Sequence, residues 1–324
     1  MVKLANLFLI IFLIHLNLST FGQQKFGYYE LPYPSIYYQE VAQQHDKTLQ
    51  ANLEDIITRN QRWTKLTLKK KMSVALVDLR DMENIRYASV NGKNMVYAAS
   101  LPKIAVLLSA IDAIVEGCID YTPKLKKDLR MMISKSNNAA TTRVIEALGY
   151  DKIAETMTKA EYQLYDKRDG GGLWVGKKYA KAGHKKPDPL KGLSHAATAE
   201  QVARFYTMLA YGKLVNHYWS KEMMKYLIDS KINHKFVKSL NKIAPEADVY
   251  RKSGSWRNFH SDSALVFGEN GRRYIIVVLL EDARGGEICS KFITQAERAL
   301  GLDKDLVIPP LEPFTGPVLS PDKE

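Results

Sequence analysis

The chain has 324 residues, 46% of them hydrophobic and 25% charged, which excludes wholesale disorder and allows one large packed unit or two smaller ones. Basic residues exceed acidic ones by a formal +12, yet no nucleic-acid motif accompanies them, so a solvated surface or one facing an acidic envelope polymer is expected, and no nucleic-acid partner. Seven histidines and two cysteines show neither HExxH nor paired CxxC spacing, so no metal and no cofactor is expected; Cys118 and Cys289 cannot form a disulfide framework, and whether they pair is left open.

The first stretch, MVKLANLFLIIFLIHLNLSTFGQQ, has one lysine, an apolar run from Leu4 to about Leu18, then small and polar residues. That is the layout of a secretory signal, cleaved near Gly22, and it predicts a periplasmic or extracellular protein with no stable membrane span after cleavage, an uncleaved anchor being the alternative left open. The Tyr- and Pro-rich FGYYELPYPSIYY reads as an extended arm. Leu49, Leu53, Ile56 and Ile57 mark an amphipathic helix over roughly 40–62. MSVALVDL (72–79) and IRYASV (85–90) read as a hairpin.

Next comes VYAASLPKIAVLLSAI (96–111), with apolar residues at Ile104, Leu107, Leu108 and Ile111. The spacing predicts a buried helix from Ser100 to about Gly117, with Pro102 in its first turn. Lys103 then shares a face with Ser100, and its apolar surroundings weaken its preference for charge. From 124 to 225 the pattern is helical, interrupted by a Gly-rich, basic segment at 165–195 that reads as a long functional loop. Strand signals return at DVYRKSGSW, SALVF and YIIVVLLED, a helix follows at ICSKFITQAERALG, and the tail from Pro309 is Pro-rich.

These elements predict an α/β (α+β) fold in which both chain ends complete one antiparallel sheet flanked by terminal helices. The expected organisation is a signal at 1–22, a sheet-containing subdomain from 23–98 and 226–308, an inserted helical subdomain at 99–225, and a tail at 309–324. A cleft is expected where sheet and helices meet.

Three short motifs fall in order along this frame. SxxK occurs at Ser100, Ser239 and Ser320, but only Ser100 heads an apolar helix after a hairpin. Ser136-Asn137-Asn138 is an SxN before a helix, a pattern that a simple helix cap also produces. Lys252-Ser253-Gly254 lies on a late strand, where glycine alone would mark only a bulge. SxxK, SxN and K[ST]G together form the set of class A β-lactamases and penicillin-binding proteins. From about residue 38 to 300 the chain resembles the class A β-lactamase-like serine hydrolases, and a β-lactamase/transpeptidase-like fold is implied.

The resemblance implies roles. Ser100 is the acylated nucleophile and Lys103 takes its proton. Ser136, assisted by Lys252, passes a proton to the leaving nitrogen. Asn138 binds the substrate's side-chain amide, while Lys252 and Ser253 hold its carboxylate. The N–H groups of Ser100 and of Ser255, beyond Gly254, form the oxyanion hole. The implied partner is a small β-lactam or a peptidoglycan-like peptide.

Several departures stand against the pattern. Asn137 occupies the place of an aspartate, Ser253 that of a threonine, and the 36 positions from Ser100 to Ser136 are fewer than in class A enzymes. The Glu-x-x-x-Asn whose glutamate activates the deacylating water is missing, since no glutamate lies between Glu161 and Glu200. Asp169 and Asp188 are the candidate substitutes, with Asp166 less favoured; beside Gly and Pro all three also read as turn residues. His184 and His195 are alternative bases, and Trp174 and Tyr179 either line the cleft or pin the loop. Three functions stay open: an efficient β-lactamase, a penicillin-binding D-Ala-D-Ala peptidase or amidase that deacylates slowly, and a sensing module without turnover.

Overall fold

The computed structural model describes residues 30–31 and 37–302. The expected signal, most of the Tyr- and Pro-rich arm, the Pro-rich tail and Ser320 lie outside the described residues. Among the described residues no helix is long and apolar enough to cross a membrane.

Where one helix is expected over 40–62 there are two, α1 (Lys47–Thr58) and α2 (Gln61–Leu68). Asn60 makes the break: its side chain accepts from the Trp63 N–H at 3.1 Å and caps a new helix. The stripe Leu49, Leu53, Ile56 and Ile57 is buried as expected. β1 (Met72–Asp78) and β2 (Arg86–Val90) form the antiparallel hairpin, with Val74 opposite Val90. After the short β3 (Val96–Tyr97) the chain enters α3 (Lys103–Val115), in which every residue from Lys103 to Ala113 is buried. The helix begins at Lys103 rather than at Ser100. Successive turn bonds, Leu101 N–H to the Ala98 carbonyl and Ile104 N–H to that of Leu101, leave Ser100 in a tight turn just ahead of it.

α4 (Pro123–Ser134) starts with Thr122 as cap and Pro123 at its first position, and α5 (Asn138–Thr158) is broken at Gly149, where φ is +75°. The segment 165–195 is more regular than a loop. It carries β4 (Tyr165–Asp166) paired with β5 (Gly171–Gly172), then β6 (Trp174–Val175), which pairs with β7 (His195–Ala197) and through it with β3. The residues from Gly171 to Gly176 are buried, so their peptide groups need partners, and short ladders supply them. α6 (Ala199–Ala210), α7 (His217–Ile228) and α8 (Phe236–Ile243) follow. β8 (Asp248–Trp256), β9 (Phe259–Phe267), β10 (Arg273–Glu281) and α9 (Gly285–Ala299) complete the fold.

The main sheet runs β2-β1-β10-β9-β8, with antiparallel pairing throughout. Val74, Leu76, Ile276, Val278 and Val266 on one face pack against α1, α2, α8 and α9 through Leu53, Trp63, Phe236 and Phe292. α6 packs against the strands β1, β9 and β10 with Val202, Phe205 and Leu209 buried. Each such side chain contributes about 1.5–3 kcal/mol when removed from water. Cys118 is exposed and Cys289 buried, and both are free thiols. β8 is one of the two edge strands, and it is this strand that meets the Ser100 turn.

Candidate active site

The turn carrying Ser100 is held by groups from three distant segments. Its entry residue Ala99 has φ +53°, in the left-handed region that few non-glycine residues adopt. The Ala98 carbonyl accepts from Ser261 Oγ of β9 at 2.8 Å, and the Ala99 carbonyl from Tyr179 Oη at 3.1 Å. Gly254 on β8 presses against the same turn: a Cβ placed there would lie 2.4 Å from the Ala98 oxygen and 2.6 Å from the Ser100 nitrogen. The glycine of the KSG triplet is therefore demanded by close approach, not by a bulge, since β8 and β9 pair without interruption. Ser100 is half-buried, and its N–H has no hydrogen-bond partner among the described residues.

Lys103, fully buried at the start of α3, points across the site. Its Nζ donates to the Ser136 carbonyl at 2.7 Å and to Asn138 Oδ1 at 2.8 Å, and lies 3.3 Å from Ser136 Oγ. The Tyr179 ring covers it at 4.4 Å. Desolvation brings its pKa down to about 7, so at neutral pH a large share of the amine is an uncharged base. Lys252, buried on β8, donates to the same Ser136 Oγ at 2.9 Å and to the Ser253 carbonyl at 2.7 Å. Burial first, then the charge of Lys103, holds its pKa well below the ordinary lysine value. Among the described residues no carboxylate is bonded to either amine. Two adjacent buried amines that repel each other resist simultaneous protonation, and Ser136 Oγ lies within hydrogen-bond distance of both. Ser136 is itself left-handed, at φ +53°.

The middle motif divides its labour. Asn137 caps α5, its Oδ1 accepting from the Ala140 N–H at 2.8 Å, a task that an amide performs as well as the aspartate it replaces. Asn138, an exposed residue, opens α5 with its Oδ1 on Lys103. Ser253 is buried beside Lys252, whereas Ser255 is exposed with its Oγ 3.4 Å from His260 Nδ1.

The carboxylates offered by the sequence are engaged elsewhere. Asp169 is ion-paired with Lys93, and Asp166 with Arg168. Asp188 is buried and ties its own loop: Oδ1 accepts from the N–H groups of Leu190 and Lys191 at 2.9 Å, and Oδ2 from that of Leu193. Tyr165 Oη also donates to it at 3.2 Å. The structure brings neither Asp169 nor Asp188 into hydrogen-bond contact with Ser100, Lys103, Ser136 or Lys252. His184 is exposed. His195 is buried, with Nε2 at the Lys177 carbonyl and Nδ1 at Ser194 Oγ, and desolvation brings its pKa down to about 4. Trp174 pins the loop through Nε1 to the Lys186 carbonyl at 2.9 Å, while Tyr179 reaches the site. The supporting role of Ser261 was not read from the sequence. The sequence offers only an unbroken polar run, His260 to Ser263, ahead of the apolar end of the strand, which does not single out Ser261.

The model of the beta-lactamase enzyme family matches residues 121–301, a stretch that includes Ser136, Asn138 and the Lys252–Ser255 run but begins after Ser100 and Lys103. Among solved structures, the chain is similar to a beta-lactamase from Sphaerobacter thermophilus, with 16% identity, 78% of this chain and 97% of the other covered, and a TM-score of 0.61. It is also similar to a class A beta-lactamase from Bacteroides cellulosilyticus, with 17% identity, coverage of 79% and 99%, and a TM-score of 0.59. A third likeness is to a mutant of PBP-A solved as an acyl-enzyme with penicillin G, at 18% identity, 79% and 97% coverage, and TM-score 0.59. No curated protein matches the sequence. At these identities the structural likeness establishes the fold, and it is the β-lactamase/transpeptidase-like fold expected from the motifs.

Proposed function

The chain belongs to the beta-lactamase enzyme family, and on that premise we propose that it is an exported serine hydrolase opening the amide bond of a β-lactam or peptidoglycan-like peptide through an acyl-enzyme on Ser100. The observation that carries this reading is the Ser136 hydroxyl held between the buried amines of Lys103 and Lys252. The export component rests on the signal-like N-terminal sequence alone.

In this mechanism Ser100 Oγ attacks the substrate carbonyl as its proton passes to uncharged Lys103. The oxyanion is met by the N–H groups of Ser100 and Ser255; losing one such donor typically costs about 10²–10³ in rate. Collapse breaks the C–N bond, and the leaving nitrogen takes a proton through Ser136, replenished from the lysine pair. Asn138 holds the substrate's amide, while Lys252 and Ser253 hold its carboxylate. Water must then attack the ester, and Asp169 is paired with Lys93 while Asp188 is occupied within its own segment. That favours a long-lived acyl-enzyme, the behaviour of a penicillin-binding peptidase or amidase, over rapid β-lactam turnover.

A fluorescent penicillin followed by an unlabelled chase tests the proposal, with the adduct located by mass spectrometry. Label on Ser100 that persists for minutes is expected. Absence of label, or label at Ser239, whose hydroxyl donates to the Ser290 carbonyl within the α8–α9 packing, overturns it. Release of many products per second would replace slow deacylation with efficient β-lactamase action.

A further inference from the structure

A third lysine is buried behind the edge strand, on no motif. Lys235 precedes α8, is 3% exposed, and has φ +56°, a conformation that residues bearing a Cβ seldom take. Its place is fixed at both ends: its carbonyl accepts from Ser290 Oγ at 2.9 Å, and the next N–H, of Phe236, donates to Asp262 at 3.1 Å. Asp262 is in turn paired with Arg251 at 2.8 Å. From this mount Lys235 Nζ donates to the carbonyl of Gly254 at 2.6 Å and to that of Ser261 at 2.9 Å. These two residues face each other across β8 and β9, so one amine bridges the pair.

The Gly254 carbonyl shares a planar peptide with the Ser255 N–H. In a trans peptide the two point in opposite directions. With the carbonyl turned toward β9 and Lys235, the Ser255 N–H points out of the free edge of the sheet, where Gly254 meets the Ser100 turn. A donor on the carbonyl oxygen draws charge out of the amide and strengthens its N–H as a donor, an effect enlarged where water is excluded. An apolar side chain of the same length would fill the space without burying an amine; what the amine adds is these two bonds.

We propose that Lys235 is a positioning residue for acyl transfer, orienting and polarising the Gly254–Ser255 peptide so that its N–H is a preset donor to the oxyanion. The inference rests on the acyl-transfer reading given above. Lys235 neither touches substrate nor exchanges a proton in the reaction. Its effect is confined to the transition state, so it alters the acylation rate constant and not the preceding complex.

The sequence supplies an unusually clean probe, because Gly254-Ser255 is the sole Gly-Ser dipeptide in the chain. Full-length protein labelled with ¹³C-carbonyl glycine and ¹⁵N-serine gives one carbonyl–amide correlation, which reports this peptide directly. In the wild type the Gly254 carbonyl should be shifted downfield of a strand glycine bound by its ladder partner alone. Lys235→Met should move both the carbonyl and the Ser255 amide signals. It should also slow acylation by a fluorescent penicillin about tenfold or more, less than outright loss of a donor, with the dissociation constant of the initial complex unchanged. Lys235→Arg, which keeps two donors, should recover most of the rate.

An unshifted wild-type carbonyl overturns the proposal even if Lys235→Met does not fold. So does a folded Lys235→Met with wild-type acylation, or one that weakens the initial complex while leaving the rate constant alone. A wild-type protein that never acylates, yet shows the shifted peptide signal, refutes the acyl-transfer reading and with it this role, while leaving the Lys235 contact standing.

Discussion

Lys103 combines two properties that seldom coexist in one lysine: full burial, and a bonding shell of a carbonyl, an amide oxygen and a hydroxyl with no carboxylate in it. A carboxylate would raise the pKa and lock the amine as a cation, whereas burial alone lowers it to about 7. The depressed value makes the free base the minor form in acid and the major form in alkali. Acylation by a fluorescent penicillin should therefore rise about tenfold per pH unit below pH 7 and level off above about pH 8. Lys103→Ala should lower the rate on the order of 100-fold and flatten this dependence. An unchanged profile in a folded Lys103→Ala protein assigns the base to another group.

At the scale of elements, the site is a contact between the turn before α3 and the edge strand β8, and Gly254 sets how close they come. Gly254→Ala would drive a methyl group into the Ala98 oxygen and the Ser100 nitrogen. Overpacking of this kind costs about 1–3 kcal/mol, and here the strand that supplies Lys252 and Ser255 would have to retreat. Penicillin labelling should drop by a larger factor than thermal stability predicts; equal labelling at wild-type rate would show that the two elements have slack. The segment between β4 and β7 depends in the same way on Asp188. Asp188→Asn takes one acceptor oxygen from this set of part-buried backbone N–H bonds, a loss of about 1–3 kcal/mol, so the melting temperature should fall. The chase rate of the acyl-enzyme should stay as it was. A deacylation rate that collapses in a folded Asp188→Asn protein would instead make Asp188 the base.

Over the whole molecule, much of the architecture is legible in the sequence because strong periodic signals and structural demand coincide. The alternation and apolar runs at 72–79, 85–90 and 248–281 mark the strands of the main sheet, and α3 is legible from Ile104, Leu107, Leu108 and Ile111. What escapes is set by tertiary context. Asn60 breaks one amphipathic stripe into two helices through a single side-chain cap. The turn at Ser100 is drawn out of the helix by Ser261 and Tyr179, residues 161 and 79 positions further on. Asp188 looks the same in sequence whether it caps a loop or activates water; only its four bonds decide. Lys235 carries no motif, because its partners are backbone carbonyls, which every residue possesses.

The pairing of β1 with β10, Met72 opposite Leu280, closes a loop of roughly 200 residues, and closures that long make folding slow. On the proposed mechanism, the nucleophile Ser100 is made early in the chain and the strand that supplies its oxyanion donor late. A chain emerging from a ribosome or a translocation pore thus displays Ser100 long before β8 and β9 exist to cradle its turn. If Ser100 is acylated as proposed, it should be unreactive for all of that time, and acylation competence should time the completion of the C-terminal hairpin. During refolding, penicillin labelling should appear with the slowest phase of tertiary structure formation; labelling that precedes it would mean that the edge strand docks before the sheet closes.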